Sequence, residues 1–467
     1  MNVVLISVYE LGRQPFSLAS PAAWLAQTGC NVACVDLAVE SFGQCIDAIA
    51  SADLVAFSLP MHTATKLVGG LVRRVRDINP AAHLCFYGLY APLNEHYLRS
   101  LGGETILGGE FEEGLMALVQ GLMATSKNGK PPHNNREQNS KPLVSLRRQK
   151  FLVPDRSGLP PLYKYAQLQF PSGSTKLTGY TEASRGCKHS CRHCPVVPVY
   201  KGSFRIVQRD VVLADIRQQV ALGAHHITFG DPDFFNGPRH AIGIVDALHK
   251  EFPNLTYDVT IKIEHLLQNR HLLRALRETG CLFVTSAVES VDEHVLTIYG
   301  KNHTRQDFVE CVEILRSIGL QINPTFIAFS PWTTLLSYAD FLHLIVKLDL
   351  IDNVAPVQYA LRLLIPASSK LLDLEEVRSL VGEYDQQNLV YPWVHPEPLV
   401  DELQSNVMAA VQKGVSWRES RRRIFQRIWE LAQQTCCEST GQQWRSSLLD
   451  QAPPRASIPF LTEPWYC

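Results

Sequence analysis

The sequence predicts an α/β protein built as two successive strand–helix units followed by a helix-rich region. Three observations carry this. Strand-like apolar runs alternate with amphipathic helical runs from residue 1 to about 120, and again from about 150 to 367. A polar stretch almost free of apolar side chains separates the two. The chain has 467 residues, more than one ordinary core organises. The expected divisions are an α/β unit over 1–124, a flexible linker over 125–148, a second α/β unit over 149–367, a helical region over 368–451, and a Pro-rich tail over 452–467 that ends in Cys467.

In the first unit, strands are expected at 3–8, 31–37, 54–59, 83–87 and from 105. Helices are expected at 19–28, 46–50, 62–78 and 110–123. This order predicts an open, mostly parallel sheet that binds ligands beyond the C-terminal ends of its strands. In the second unit, strands are expected near 177–183, 226–229, 256–263, 282–287, 321–329 and 356–364, with helices between them. Six strands are too few for a full eight-fold barrel. Beyond residue 368 the clearest helical stretches are 401–413 and 417–434.

Composition excludes several classes. Hydrophobic residues make up 46%, and no apolar run reaches the roughly 18 residues of a membrane helix. Met1–Val8 lacks a basic n-region and a cleavage site, so it reads as a buried strand rather than a signal peptide. Net charge is −1 with no basic block, which gives nucleic-acid binding no electrostatic support. Of the twelve cysteines, Cys30, Cys34, Cys45, Cys85, Cys281 and Cys311 sit in apolar stretches as small hydrophobes. No disulfide framework is suggested, which fits a reducing cytoplasm.

The chemistry begins with Ser184-Arg185-Gly186-Cys187-Lys188-His189-Ser190-Cys191-Arg192-His193-Cys194-Pro195. Soft thiolates spaced C-x3-C-x2-C suit three irons of a [4Fe–4S] cluster and leave the fourth iron open. On spacing alone a zinc site with His189 or His193 as fourth ligand stays open. Arg185 and Lys188 add positive charge beside the thiols.

This run resembles the cluster motif of the radical SAM superfamily, with His193 where an aromatic residue is usual. The resemblance implies a partial (β/α)6 TIM barrel whose cysteine loop follows the first strand. It implies that the open iron chelates S-adenosylmethionine, whose reductive cleavage gives a 5′-deoxyadenosyl radical. Two downstream segments match in order and argue against zinc. Gly230-Asp231-Pro232-Asp233 follows the second strand, where the superfamily contacts the amino group; Gly230, Asp231 and Asp233 match that role. Glu289-Ser290 resembles the fourth-strand segment whose glutamate accepts hydrogen bonds from S-adenosylmethionine. The run 325–334 matches the place where adenine packs, and Lys262, Glu264 and Arg362 are further candidates for the barrel mouth.

The first unit resembles the Rossmann-like, B12-binding type of domain found ahead of many radical SAM barrels. Ser58-Leu59-Pro60 matches the segment lining the nucleotide tail of cobalamin, Gly88 the first of a usual glycine pair, and Gly108-Gly109-Glu110 the closing turn. Pro60 and Leu89 depart from the pattern. No Asp-x-His-x-x-Gly occurs, so no histidine of that loop coordinates cobalt. Trp465-Tyr466-Cys467 resembles radical SAM proteins with Cys/Sec-Ala-Glu-Pro tails. That makes Cys467 a candidate redox or catalytic thiol.

The resemblance thus implies a radical SAM enzyme with a [4Fe–4S] cluster, S-adenosylmethionine and cobalamin. It would transfer a methyl to an unactivated centre of a small-molecule or peptide substrate, with flavodoxin or ferredoxin as electron donor. Two alternatives remain: a radical SAM enzyme without methyl transfer, its first domain vestigial or substrate-binding, and an iron–sulfur redox or regulatory protein.

Overall fold

The computed structural model describes residues 1–127, 143–440 and 459–462. Most of the expected linker, most of the tail and Cys467 lie outside the described residues. The first sheet contains β1 (Asn2–Ser7), β2 (Asn31–Asp36), β3 (Leu54–Ser58), β4 (His83–Tyr87), β5 (Thr105–Gly109) and β6 (Leu143–Ser145). All neighbours are parallel, in the order β2-β1-β3-β4-β5-β6. The chain order reverses between β1 and β3, so the switch point, where such sheets bind ligands, lies at Ser7 and Ser58. Helices cover both faces. Val55, Phe57 and Phe86 bury on one, and Leu5, Ala56 and Tyr87 on the other, as a doubly covered parallel sheet requires.

β6 falls inside the stretch expected as linker. Three residues carry no readable period, and the pairing rests on a glycine. A Cβ at Gly109, which has φ +68°, would stand 2.2 Å from the Ser145 carbonyl oxygen. The Glu110 amide instead donates to that oxygen at 2.8 Å.

The second sheet is a curled half-barrel. It runs β14-β13-β12-β11-β8-β7-β15, from β7 (Gln167–Gln169), β8 (Thr175–Thr181), β11 (His226–Phe229), β12 (Thr256–Thr260), β13 (Cys281–Glu289), β14 (Gln321–Phe326) and β15 (Phe460–Leu461). The five strands β8 to β14 are parallel; β7 and β15 extend the sheet antiparallel. A separate two-stranded ribbon pairs β9 (Ser184–Gly186) with β10 (Phe204–Ile206). The sixth barrel strand, expected over 356–364, is reduced to a single bridge from Phe329 to Arg362. Pro356, which has no N–H to give a ladder, opens a 3-10 turn through Tyr359 there.

The C-terminal region contributes helices Pro398–Ser416 and Arg421–Thr440. The expected helix from 417 begins later because Trp417 caps the preceding helix, and Arg418 turns the chain with φ +54°. Phe425, Ile428 and Trp429 complete the barrel core beside Phe341 and Tyr359. Truncating a buried aromatic such as Phe425 to alanine costs about 3–5 kcal/mol. Among the described residues no helix is long and apolar enough to cross a membrane.

Candidate active site

The cysteine loop leaves β9 through Gly186. Its φ is +74°, and a Cβ would stand 2.3 Å from the Tyr200 ring and 2.6 Å from the Ser203 carbonyl oxygen. Only glycine fits there. Three anchors then hold the loop. The Asn236 side chain donates to Gly186 O at 3.2 Å and accepts from the Lys188 amide at 3.3 Å. The Arg192 amide donates to Tyr299 O at 2.8 Å, while its guanidinium reaches the carbonyls of Thr297 and Ile298. The Cys194 amide donates to Cys191 O at 3.2 Å. Neither anchoring role is legible in the sequence, because residues that hold a loop through backbone carbonyls carry no motif of their own.

Cys191 is 7% exposed, and Cys187 and Cys194 are partly buried. Burial pushes the Cys187 thiol up to about 11 and the Cys194 thiol up to about 12. These thiols therefore stay protonated until a metal displaces the proton, as coordinating cysteines do.

Glu289 ends β13 with φ +69°, at a register shift in the pairing with β14. An l-residue other than glycine rarely holds this conformation, and the bulge re-aims its side chain. Its Oε1 lies 3.2 Å from His193 Nε2 and 3.5 Å from Lys301 Nζ. Burial alone would raise this carboxyl, but Lys301 and His193 outweigh burial and bring it down to about 2. The carboxylate stays ionised beside the cysteine loop. Ser290 follows, and both residues share a small pocket with Phe326, Ile327, Ala328 and Thr333 from the end of β14. This is the expected 325–334 segment.

Gly230 follows β11, where a Cβ would stand 1.8 Å from the Tyr180 hydroxyl oxygen. The carboxylates after it are already engaged. Asp231 accepts from the Ala183 amide at 2.9 Å and the Ser184 hydroxyl at 2.6 Å. Asp233 Oδ1 accepts from the Phe235 amide at 3.0 Å, and Oδ2 faces His189 and His265. Lys262 and Glu264, expected at the end of the third strand, lie beyond it and pair at 3.3 Å. Arg362 stacks on Trp393 and binds Asp401, so it is committed to the C-terminal region.

Arg185 departs from expectation. It is not a charge offered to the cluster but the join between the two α/β units. It reaches Glu112 at 2.6 Å, Glu182 at 2.7 Å and Glu110 at 3.3 Å, and donates to Ser20 at 3.2 Å. Behind it, Leu89, Leu93 and Leu146 pack on Val196, Val199 and Tyr200, just beyond the cysteines. The C-terminal face of the first sheet is thereby set against the cysteine loop. Ser58 lies in this unit at the switch point, fully buried, with no partner for its hydroxyl. Gly88, at the end of β4, has φ +107° and its Cβ position is 3.0 Å from Leu59 O. Inside the barrel a cavity of about 1180 Å³ is lined by Thr228, Gly230, Thr260, Asn323, Arg421 and Phe460, among others.

Residues 181–335 match the family model of the Radical SAM superfamily. The barrel is a radical SAM domain. Its matched span begins at the end of β8 and takes in the cysteine loop, Gly230 to Asp233 and Glu289. The chain is 23% identical over 340 residues to the hopanoid C-3 methylase of Methylococcus capsulatus, covering 68% of this chain and 62% of that protein. It thus spans about three-fifths of that relative. An uncharacterised methyltransferase of Pyrococcus horikoshii matches at 24% over 154 residues, 33% of each chain. Among solved structures, the cobalamin-dependent radical SAM enzyme OxsB superposes with a TM-score of 0.65 at 15% identity, over 89% of this chain and 67% of its own. The radical SAM methyltransferase TsrM of Kitasatospora setae superposes with a TM-score of 0.59 at 15% identity, over 75% and 74%. These two likenesses show a shared fold.

Proposed function

We propose that the protein is a radical SAM enzyme in which Cys187, Cys191 and Cys194 hold a [4Fe–4S] cluster and the first domain carries cobalamin. The observation that carries this reading is the 3.2 Å contact from His193, inside the cysteine loop, to Glu289. It joins the thiols and an ionised acceptor in one site. The donor chemistry fits the cluster: three soft thiols on an anchored loop, with no fourth cysteine in the motif. When bound, the cluster supplies the electron that cleaves S-adenosylmethionine, and cobalamin supplies a methyl carrier. An electron donor such as flavodoxin or ferredoxin belongs to the same reading.

The chain's own residues would do the positioning. Glu289 accepts from S-adenosylmethionine, with Ser290 and the end of β14 lining the pocket beside it. Because Asp231 is engaged through both oxygens and Asp233 through Oδ1, with Oδ2 turned to His189 and His265, the Gly230 segment would offer its backbone carbonyl rather than an acidic side chain. The orphaned Ser58 hydroxyl and the glycine cradle at Gly88 fit a ligand at the switch point of the first sheet. Methylation is the favoured reaction, in keeping with the methylase relatives. The substrate would occupy the barrel cavity.

The test is anaerobic reconstitution. We expect cluster absorbance, bound cobalamin and reductant-dependent 5′-deoxyadenosine from the intact chain, with cluster and product lost in Cys191→Ala. Glu289→Gln should keep the cluster and weaken S-adenosylmethionine binding by roughly 10- to 100-fold, the worth of a hydrogen bond to a charged group. Product formation that persists in Cys191→Ala would overturn the cluster assignment.

A further inference from the structure

His189, Asp233 and His265 converge from three different loops of the barrel. His189 stands midway between Cys187 and Cys191, Asp233 follows β11, and His265 lies on the helix Ile263–Gln268 after β12. Asp233 Oδ2 lies 2.7 Å from His265 Nδ1 and 3.6 Å from His189 Nε2. The ligand atoms of all three lie within 4.8 Å of one another. Their side chains are 9%, 2% and 1% exposed for His189, Asp233 and His265.

A hydrogen-bonded His–Asp–His chain is the simpler expectation, yet the geometry is not that of one. His189 Nε2, Asp233 Oδ2 and His265 Nδ1 are all buried without a hydrogen-bond partner. The His189 contact, at 3.6 Å, is too long for a hydrogen bond, and the His265 contact, at 2.7 Å, is close but misaligned for one. Such atoms are costly to bury unless something satisfies them. A shared ion does so and explains the misalignment. With metal–ligand bonds of about 2.0–2.2 Å, two ligand atoms sit roughly 3–3.5 Å apart while their lone pairs aim at the ion rather than at each other. The observed 2.7 and 3.6 Å bracket that separation.

The surroundings agree. The other nitrogen of His189, Nδ1, faces Glu264 Oε2 at 3.5 Å, and Glu264 is itself paired with Lys262. A carboxylate behind a ligating imidazole fixes its tautomer and raises its basicity. Two imidazoles and one carboxylate suit zinc or ferrous iron over magnesium or calcium, and three protein ligands leave a position open. Among the described residues, these three ligand atoms meet within reach of one ion.

We propose that His189, Asp233 and His265 bind one divalent first-row transition ion, Zn²⁺ or Fe²⁺, separate from the iron held by the cysteines. The ion ties the cysteine loop to the loops after β11 and β12.

The experiment uses the full chain with its cluster reconstituted, incubated with Zn²⁺, passed through gel filtration and analysed for zinc and iron. We expect one zinc per chain in addition to the cluster iron. His265→Ala should lose that zinc and keep the visible cluster absorbance, and Cys191→Ala should lose cluster iron and keep the zinc. His189→Gln serves as a second ligand variant where His265→Ala disturbs folding, judged by circular dichroism. No retained zinc in the cluster-loaded chain overturns the proposal. So does zinc that persists in a folded ligand variant, or zinc that follows Cys191 rather than His265. Cluster loss in the Cys191 variant is read separately, so failure of the cluster assignment and failure of the zinc site give different results.

Discussion

Asp231 shows how an acid in a motif can serve the fold before it serves a ligand. Its two oxygens hold the Ala183 amide and the Ser184 hydroxyl, fixing the approach to the cysteine loop. Burial pushes its carboxyl up to about 7, the bonds from Ser184 and Ala183 pull the other way, and nearby Glu182 adds to the rise. A carboxyl at about 7 when folded and about 3.9 when unfolded favours the folded state in its protonated form. That contribution is fully present below about pH 4 and is lost as pH rises through about 7. Asp231→Asn keeps the shape and cannot ionise. The melting temperature of the variant minus that of the parent should therefore rise between about pH 5 and about pH 8. Parallel melting curves across this range would refute the argument. Glu289 marks the limit of sequence reading at the same scale. Its place at the end of β13 was legible from Glu289-Ser290. Its left-handed backbone and its partners His193 and Lys301 were not, because they arise from a bulge and from side chains distant in sequence.

Elements joined across long separations were the least legible. The parallel strands β1 to β5 and β8, β11, β12, β13 and β14 stand out in the sequence because the cores on either side bury their apolar residues. The short strands β6 and β9, three residues each, carry no period, and their partners decide them. Arg185, on β9, read as a charge beside the thiols, whereas Glu110, Glu112 and Ser20 from the first unit surround it together with Glu182. The rings of Phe16, Phe111 and Phe151 lie 5.0 to 5.6 Å from its guanidinium carbon. Arg185→Met should leave the glutamates buried without a countercharge. Breaking a buried network this way costs about 3–5 kcal/mol. We expect a lower urea midpoint and earlier loss of the contact between the two α/β units, followed by limited proteolysis. An unchanged midpoint would mean that the glutamates take up protons or water at little cost.

At the scale of the whole molecule, the last described residues add an edge strand to the half-barrel that the middle of the chain builds. β15 pairs antiparallel with β7, Phe460 opposite Gln169 and Leu461 opposite Leu168. The Thr462 amide donates to Gln167 O at 2.9 Å, and the Gln167 amide donates to the Thr462 hydroxyl at 3.0 Å. Phe460 lies 4.9 Å from the Arg421 guanidinium carbon, and both line the cavity inside the barrel. Arg421 gives one hydrogen bond to Asp352 O, and burial lowers its guanidinium to about 10, so this cation faces the cavity at a cost that β15 helps to impose. The strand therefore acts as a side wall, and removing it has a local signature. A stop codon in place of Pro459 should leave the core strands intact, because none of them pairs with β15. Exchange at the Gln167 amide should rise roughly fivefold, the equivalent of one hydrogen bond at about 1 kcal/mol. The Leu168 amide should hold its rate, because it donates inward to the Thr178 hydroxyl at 3.2 Å. Hydrogen exchange read residue by residue separates the outcomes. A rise confined to Gln167 supports a detachable wall. Equal rises at Gln167 and Leu168 would show that β7 and β8 depend on β15 for their own pairing, which would make the strand part of the barrel rather than a cover on it.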